Sequence, residues 1–378
     1  MAPTVLLLGG VGFIGRNLLQ YLFDKNLVDS VRVADKALPA TAYLNDYHKK
    51  LFSDDKRVEF KQANLTNVAA IEKVFTRDDG KEFDYVINLA AETKYGQSDA
   101  VYDERTYQLS VACGKEAAKR KVKVFVEIST AQVYESDKKP SGEDSKLKPW
   151  TAVAKSKLKA EEDLKKIAGL NLVILRPALV YGPGDVYGLT PRLIMGAVYR
   201  QLHEKMELLW TKDLKMNTVH VKDVARAIWH VTALSSEGGG RAGPVTAVEI
   251  YNVADHNDTD QGKVNDHIKS IFGIETGFQG SIISQFAKLN LESVTEDVND
   301  KHLQPWSELC KSGGVANTPL TPYLDKELLK DNALSVDGTK IEKTLGFGYE
   351  HPIMTEASLR EVVADFVASA QWPPGTTA

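Results

Sequence analysis

The chain has 378 residues, 43% of them hydrophobic, with 47 basic and 51 acidic side chains and a formal net charge of -4. That length can bury a large core, and the slightly acidic balance gives no electrostatic basis for binding nucleic acid or an anionic membrane. Two distant cysteines, Cys113 and Cys310, make neither a disulfide framework nor a metal site, no apolar run reaches the ~20 residues of a membrane span, and the first strand starts too early for a removable signal, so the expected location is cytoplasmic.

Val5 to Leu8 is a run of four apolar residues, which suits a strand buried on both faces in a parallel sheet. Gly9, Gly12 and Gly15 follow, and Arg16 to Phe23 carries an apolar stripe (Leu18, Leu19, Leu22, Phe23) that predicts a helix. A strand, a glycine turn and a helix start together suit the diphosphate of a dinucleotide. Gly9 permits the tight turn, Gly12 leaves room for the pyrophosphate, and Gly15 lets the helix approach the strand. Free N–H groups at Phe13 and Ile14 face the negative charge. The spacing is GxxGxxG rather than GxGxxG, so the context carries the assignment more than the glycines do.

Val31 to Asp35 is a second strand, ending on an acid 20 residues after Gly15. A carboxylate there accepts both hydroxyls of an adenosine ribose and repels the 2′-phosphate of NADP, so Asp35 selects NAD(H). Its plainer reading is a cap on the next turn. Residues 36–57 are polar, with a short helix expected near 43–52. Val58 to Gln62 is the third strand, with Asn64 and Leu65 at its exit and a helix over 68–75. The fourth strand, from Tyr85, runs into Leu89, Ala90 and Ala91, small enough at their end to let a backbone pass close to a cofactor. A long helix over 101–120 leads to a fifth strand, 124–130, whose hydroxyls Ser129 and Thr130 lie at the carboxyl edge where open α/β sheets bind ligands.

A helix over 153–167 and a sixth strand at 172–175 precede Arg176 to Asp185, where Pro177 and Val180 are expected to touch the cofactor. The alternation predicts an α/β protein with a Rossmann-type doubly wound parallel sheet. The NAD-binding domain is expected over residues 1–185, with returns at about 217–254, and a smaller C-terminal α+β lobe over most of 186–378. Helices are expected at 191–204, 223–234 and 357–370, a flexible loop at Gly238 to Gly240, a short strand at 249–254, and loss of order at Pro373-Pro374. Residues 273–333 show no strand pattern. Ile282, Ile283, Phe286 and Leu289 sit at helical spacing and read as core of the lobe rather than a lipid-binding face. Trp150 and Trp306 read either as pocket walls or as buried structure.

Several of these segments recur together, in this order, in one family: Gly9-x-x-Gly12-x-x-Gly15, Asn88 to Ala91, Ser129 to Tyr134, Lys155 to Lys157, Arg176-Pro177 with Val180 to Gly184, Val219 to Ala225, Tyr251 to Val253 and Leu345 to Phe347. The chain resembles the extended short-chain dehydrogenases/reductases of the NAD-dependent epimerase/dehydratase type, over nearly its whole length, poorly at 273–333. The resemblance implies bound NAD(H) and a Ser/Thr, Tyr, Lys triad. In that triad the phenol exchanges a proton with a substrate alcohol or ketone, and the lysine holds the nicotinamide ribose. A free phenol titrates near 10, so it needs a neighbouring cation to work at neutrality.

Thr130 matches the hydroxyl position and Lys157 the lysine. The residue four before Lys157 is Val153, which has no proton to exchange. Thr151, Tyr181 and His220 are the remaining places to look for one, with His220 expected to pack behind the site and Asp223 to cap the following helix. Tyr181 and Pro183 are expected to shape the nicotinamide end. Asn64 stands where the family carries an adenine-binding Asp, and Ser110 where it carries an Asn. Lys212, Lys215 and Arg192 are the cations available for a substrate diphosphate.

Three readings stay open. One is epimerase, dehydratase or dehydrogenase chemistry at an oxygen-bearing carbon with an atypical active site. Another is a 3β-hydroxysteroid dehydrogenase-like enzyme with a hydrophobic alcohol or ketone. The third is a non-catalytic NAD-binding sensor or complex subunit. The substrate is accordingly a nucleotide sugar or a hydrophobic alcohol or ketone, no metal is expected, and fold analogy implies a homodimer through the helices at 101–120 and 153–167.

Overall fold

The structure, a computed structural model, describes residues 2–236 and 248–378, so the expected Gly238 to Gly240 loop lies outside the described residues. The first half alternates β1 (Thr4–Leu8), α1 (Phe13–Asp24), β2 (Ser30–Asp35), α2 (Asp46–Ser53), β3 (Val58–Gln62), α3 (Val68–Phe75) and β4 (Tyr85–Asn88). It continues through α4 (Asp99–Tyr102), a π-helical turn at Asp103–Gln108, α5 (Leu109–Lys119), β5 (Val124–Ile128), α6 (Ala152–Leu164) and β6 (Leu172–Pro177). The second half holds β7 (Leu179–Tyr181), α7 (Thr190–Leu202), β8 (Met206–Leu208), β9 (Thr218–His220), α8 (Val221–Ser236), β10 (Glu249–Val253) and α9 (Gln261–Phe272). Then come β11 (Thr276–Phe278), α10 (Ser281–Leu289), α11 (Leu291–Ser312), α12 (Lys340–Leu345) and α13 (Glu356–Ala368).

Seven strands form one parallel sheet in the order β10-β6-β5-β4-β1-β2-β3. Alternate residues of β1 serve opposite faces. Val5 and Leu7 pack with Leu18 and Leu22 of α1 and Ile228 of α8, while Leu6 and Leu8 pack with Ile71 of α3 and Cys113 of α5. This is the doubly wound Rossmann arrangement. The chain crosses from one side of the sheet to the other between β1 and β4, which opens a crevice beyond their carboxyl ends. A separate apolar cluster, built by α7, α9, α11 and α13, forms the core of the C-terminal half.

Three expectations there are corrected. Ile282, Ile283, Phe286 and Leu289 are not core: they are 82%, 44%, 50% and 88% exposed, because α10 buries only Ala287 against Trp210 and Val294. Pro373-Pro374 does not end order. Trp372 is buried against Trp306, its Nε1 donates to Thr376 Oγ1 at 2.6 Å, and Ala378 N donates to Ile271 O at 2.8 Å. Asp223 does not cap α8 from outside. It lies in the first turn, accepts from Glu350 N and His351 N and pairs with Arg226, which ties α8 to the C-terminal segment.

Candidate functional site

The glycine turn, the ends of β2, β4, β5 and β6, and the first turns of α1 and α6 line one cleft of about 990 Å³. Gly9 has φ +75°, and a Cβ there would fall 2.7 Å from Ala90 N, so a side chain is excluded where β1 and β4 leave the sheet together. Gly12 lines the cleft with only Gly9 O near its missing Cβ, and Phe13, Ile14 and Gly15 follow along the same wall at the start of α1. That wall fits a pyrophosphate: it is open, rich in N–H groups and at a helix start.

Asp35 lines the cleft at the end of β2. Its Oδ2 accepts from Val11 N at 3.1 Å and its Oδ1 from Ala37 N at 3.0 Å. Each oxygen keeps a lone pair for a ribose hydroxyl. Burial raises its pKa, opposed by those two N–H groups. Asn64 and Leu65 line the same end, but Asn64 Oδ1 already accepts from Thr66 N and Thr66 Oγ1, which leaves its NH2 group to face a base. Leu89, Ala90, Ala91, Pro177 and Val180 complete the floor.

At the other end stand Thr130, Val153 and Lys157. Thr130 Oγ1 accepts from Gln132 N at 3.3 Å and so caps the short turn that follows β5. Val153 is buried in the cleft wall one turn before Lys157 on α6. Lys157 Nζ donates to Ile128 O at 2.5 Å. Burial lowers its pKa, against the pull of two buried carboxylates, Glu127 and Glu161.

Those carboxylates belong to a polar network that the sequence reading missed. Glu127 accepts from Asn88 Nδ2 at 2.7 Å and from Ser110 Oγ at 3.0 Å, and burial pushes its pKa up to about 7. Ser110 is thus a working partner at the position where an Asn was expected. Glu161, fully buried, pairs with Arg176 through Nε at 3.1 Å and Nη2 at 2.5 Å and accepts from Ser129 Oγ. Arg176 also donates to Tyr134, whose hydroxyl donates to Asn252 Oδ1. The signal was present: an acid inside the apolar run Val124 to Ile128, with one arginine and one further acid to match.

Several expected contacts are absent from the cleft. Tyr181 and His220 are fully buried behind it, ring to ring at 5.1 Å, so neither reaches a substrate. Pro183 does not line it, although Gly184 does. Lys212, Lys215 and Arg192 do not line it either, and Lys215 pairs with Asp258. Trp306 is core, donating to Leu320 O, and Trp150 packs against the sheet core. Thr151 is the N-cap of α6, accepting from Ala154 N. Conversely, Tyr95, Gln132, Arg16 and Tyr187 line the cleft and were not singled out from the sequence.

The fold and this cleft are those of a dinucleotide-binding α/β protein. Residues 5–254 match the NAD dependent epimerase/dehydratase family, and the chain belongs to it. The cofactor that goes with that family is NAD, and the cleft's glycine wall and Asp35 fit it. A putative UDP-arabinose 4-epimerase 4 of Arabidopsis thaliana is 31% identical over 202 residues, 50% of this chain and 44% of that relative. The sterol-4-alpha-carboxylate 3-dehydrogenase of Saccharomyces cerevisiae is 25% identical over 238 residues, 58% of this chain and 64% of that relative. The chain thus spans about half to two thirds of the length of these curated relatives. Among solved structures, dTDP-glucose 4,6-dehydratase of Bacillus anthracis, crystallised with NAD, has a TM-score of 0.67 at 19% identity, covering 99% of this chain and all of that one. That likeness concerns the fold.

Proposed function

We propose that the chain binds NAD(H) in this cleft and carries out epimerase, dehydratase or dehydrogenase chemistry at an oxygen-bearing carbon, with an atypical active site. The observation that carries the reading is the convergence of Gly9 to Gly15, Asp35, Thr130 and Lys157 on one cavity. The diphosphate lies against the start of α1, the adenosine ribose on Asp35, and the nicotinamide end near Lys157, Pro177 and Val180. NAD supplies the hydride acceptor. Lys157 contributes a cation to the ribose, and Thr130 a hydroxyl to the substrate. Val153 contributes neither charge nor proton.

The lining bears on the substrate. Beyond Lys157 the cleft-lining cations are Arg16, Lys36 and Arg105; Arg16 donates to Gly184 O at 2.7 Å, and Lys36 and Arg105 both pair with Glu92, at 3.8 and 3.4 Å. Val153, Leu179, Val186, Pro319, Leu334 and Phe366 are apolar. A nucleotide-sugar diphosphate requires convergent cations. The apolar side chains support an uncharged alcohol or ketone, the hydrophobic-substrate reading, beside the nucleotide-sugar reading that the solved structures binding such ligands support. The non-catalytic reading draws on Val153 and on Lys157 being turned to Ile128 O.

A homodimer through α5 and α6 draws no support from their outward faces. Lys115 and Lys119 of α5 and Lys155, Lys159 and Glu162 of α6 are exposed there, and Lys159 is paired within the chain to Asp103. Interface cores are depleted of charge. A cytoplasmic location is supported by two free, buried cysteines. Among the described residues no helix is long and apolar enough to cross a membrane, and no cluster of His, Cys, Asp or Glu could hold a metal ion.

Titrating NADH and NADPH by cofactor fluorescence tests the cofactor reading. NADH is expected to bind more tightly, and Asp35→Ser to narrow the gap. Tighter NADPH binding by the unmodified chain would remove Asp35 from the role given to it.

A further inference from the structure

The cleft lacks the phenol expected on α6, yet it contains another one. Tyr95 comes from the loop that follows β4, and it shares the cavity with Thr130, Gln132, Val153 and Lys157. Its loop is held on both sides. Tyr102 Oη donates to Lys94 O at 2.8 Å and accepts from Gln97 N at 3.3 Å. Gly96, at φ +75°, passes so close to Asp325 that a Cβ would lie 2.9 Å from its Oδ2.

The phenol oxygen lies 3.3 Å from both the Oε1 and the Nε2 of Gln132. Gln132 Oε1 in turn accepts from Thr151 Oγ1 at 2.9 Å, and Thr151 caps α6 two residues before Val153. Two hydrogen bonds therefore tie the Tyr95 hydroxyl to the start of the helix that should have carried the phenol. Both contacts to Gln132 are at the long end for hydrogen bonds, so the hydroxyl is positioned but weakly committed.

We propose, resting on the NAD(H) reading above, that Tyr95 replaces the missing phenol: its hydroxyl binds the oxygen of an uncharged carbonyl substrate, with Gln132 and Thr151 holding it in place. Tyr95 is then the substrate-touching group, and Gln132 a positioning residue. In the step this permits, NADH held by the glycine wall, Asp35 and Lys157 would supply a hydride to the carbonyl carbon. The proton of the Tyr95 hydroxyl goes to the carbonyl oxygen, giving the alcohol and the oxidised cofactor. The phenolate left behind regains a proton from water.

The surroundings fix the protonation state of this phenol at neutral pH. Burial pushes its pKa up to about 12, helped by the charged or titratable Glu327, Tyr102 and Asp325 and opposed by the hydrogen bond with Gln132. The phenol is therefore protonated at neutral pH. It can give a proton to an alkoxide, a far stronger base than phenolate. That protonated form is the one the reduction step uses, and the phenolate that the reverse step would use is a small fraction at neutral pH.

The test uses the full chain loaded with NADH and 4′-fluoroacetophenone, an uncharged aryl ketone. Fluorine NMR reads ketone binding, and NADH fluorescence reads cofactor occupancy in the same sample. The ketone is expected to bind the loaded chain, and Tyr95→Phe to weaken it about 3- to 10-fold, the worth of one uncharged hydrogen bond, with NADH affinity unchanged. Gln132→Met keeps the phenol but frees it, and is expected to weaken the ketone by a smaller factor; it serves also if Tyr95→Phe fails to fold. Equal ketone binding by Tyr95→Phe and the unmodified chain overturns the proposal. So does a loaded chain that ignores the ketone. A chain that fails to take up NADH overturns the cofactor reading instead, a result seen separately in the fluorescence.

Discussion

Glu127 carries a carboxyl inside the sheet, beside the ammonium of Lys157 and under the cleft floor. Its pKa is raised to about 7 from an ordinary value of 4.5, first by burial. Between those values the folded chain holds more protons than the unfolded one, so this group makes stability fall as pH rises through that window. Glu127→Gln is expected to flatten the stability-against-pH curve between about pH 4.5 and 7, measured by urea unfolding at several pH values. An unchanged slope would mean that Lys157 keeps Glu127 ionised in the fold. The glycines, Asp35, Thr130 and Lys157 were legible because a motif fixes their spacing from a strand end. Glu127, Glu161 and Arg176 were not, because three elements far apart in the chain bring them together. Tyr95 was missed for a related reason: it sits in a loop with no periodic pattern, and only the fold brings it into the same cleft as Val153.

At the scale of elements, the alternation of apolar strands with amphipathic helices made the order from β1 to β6 readable, to within a few residues at each end. Helix α11 was not readable, since its 22 residues include Pro305 and only a narrow buried stripe (Val294, Thr295, Asn299, His302, Trp306, Cys310). Helix α10 misled in the opposite sense. Its apolar residues follow a helical period, and such a period normally marks a core face, yet here the face is turned outward. Ile282→Ser and Leu289→Ser, at 82% and 88% exposed, are therefore expected to change unfolding free energy by less than about 0.5 kcal/mol each. A core position would lose roughly 2–5 kcal/mol on truncation, so urea denaturation separates the two cases cleanly.

At the scale of the molecule, the C-terminal half completes the cleft: Pro319, Leu334 and Phe366 line it, and Glu327 accepts from Ala152 N at the start of α6 at 3.1 Å. Asn317 Oδ1 accepts from Tyr43 Oη at 2.8 Å, a second tie between the halves. The sequence set this half apart as a smaller lobe but could not say which residues reach the site, because those contacts come from irregular segments. Pairing through α5 and α6 is checked by light scattering at micromolar concentration, where a mass near 41.7 kDa is a single copy. Twice that mass, lost on placing further charge on α5, would restore the paired arrangement.

The most direct test of the account as a whole is turnover by the unmodified chain and by Val153→Tyr, each saturated with NAD(H), on a panel of uncharged alcohols and ketones alongside nucleotide sugars. The account predicts that the unmodified chain already turns over an uncharged member of the panel. A chain that binds NADH yet turns over nothing, while Val153→Tyr gains activity, would contradict it and mark the protein as a cofactor-binding relative that has lost its chemistry.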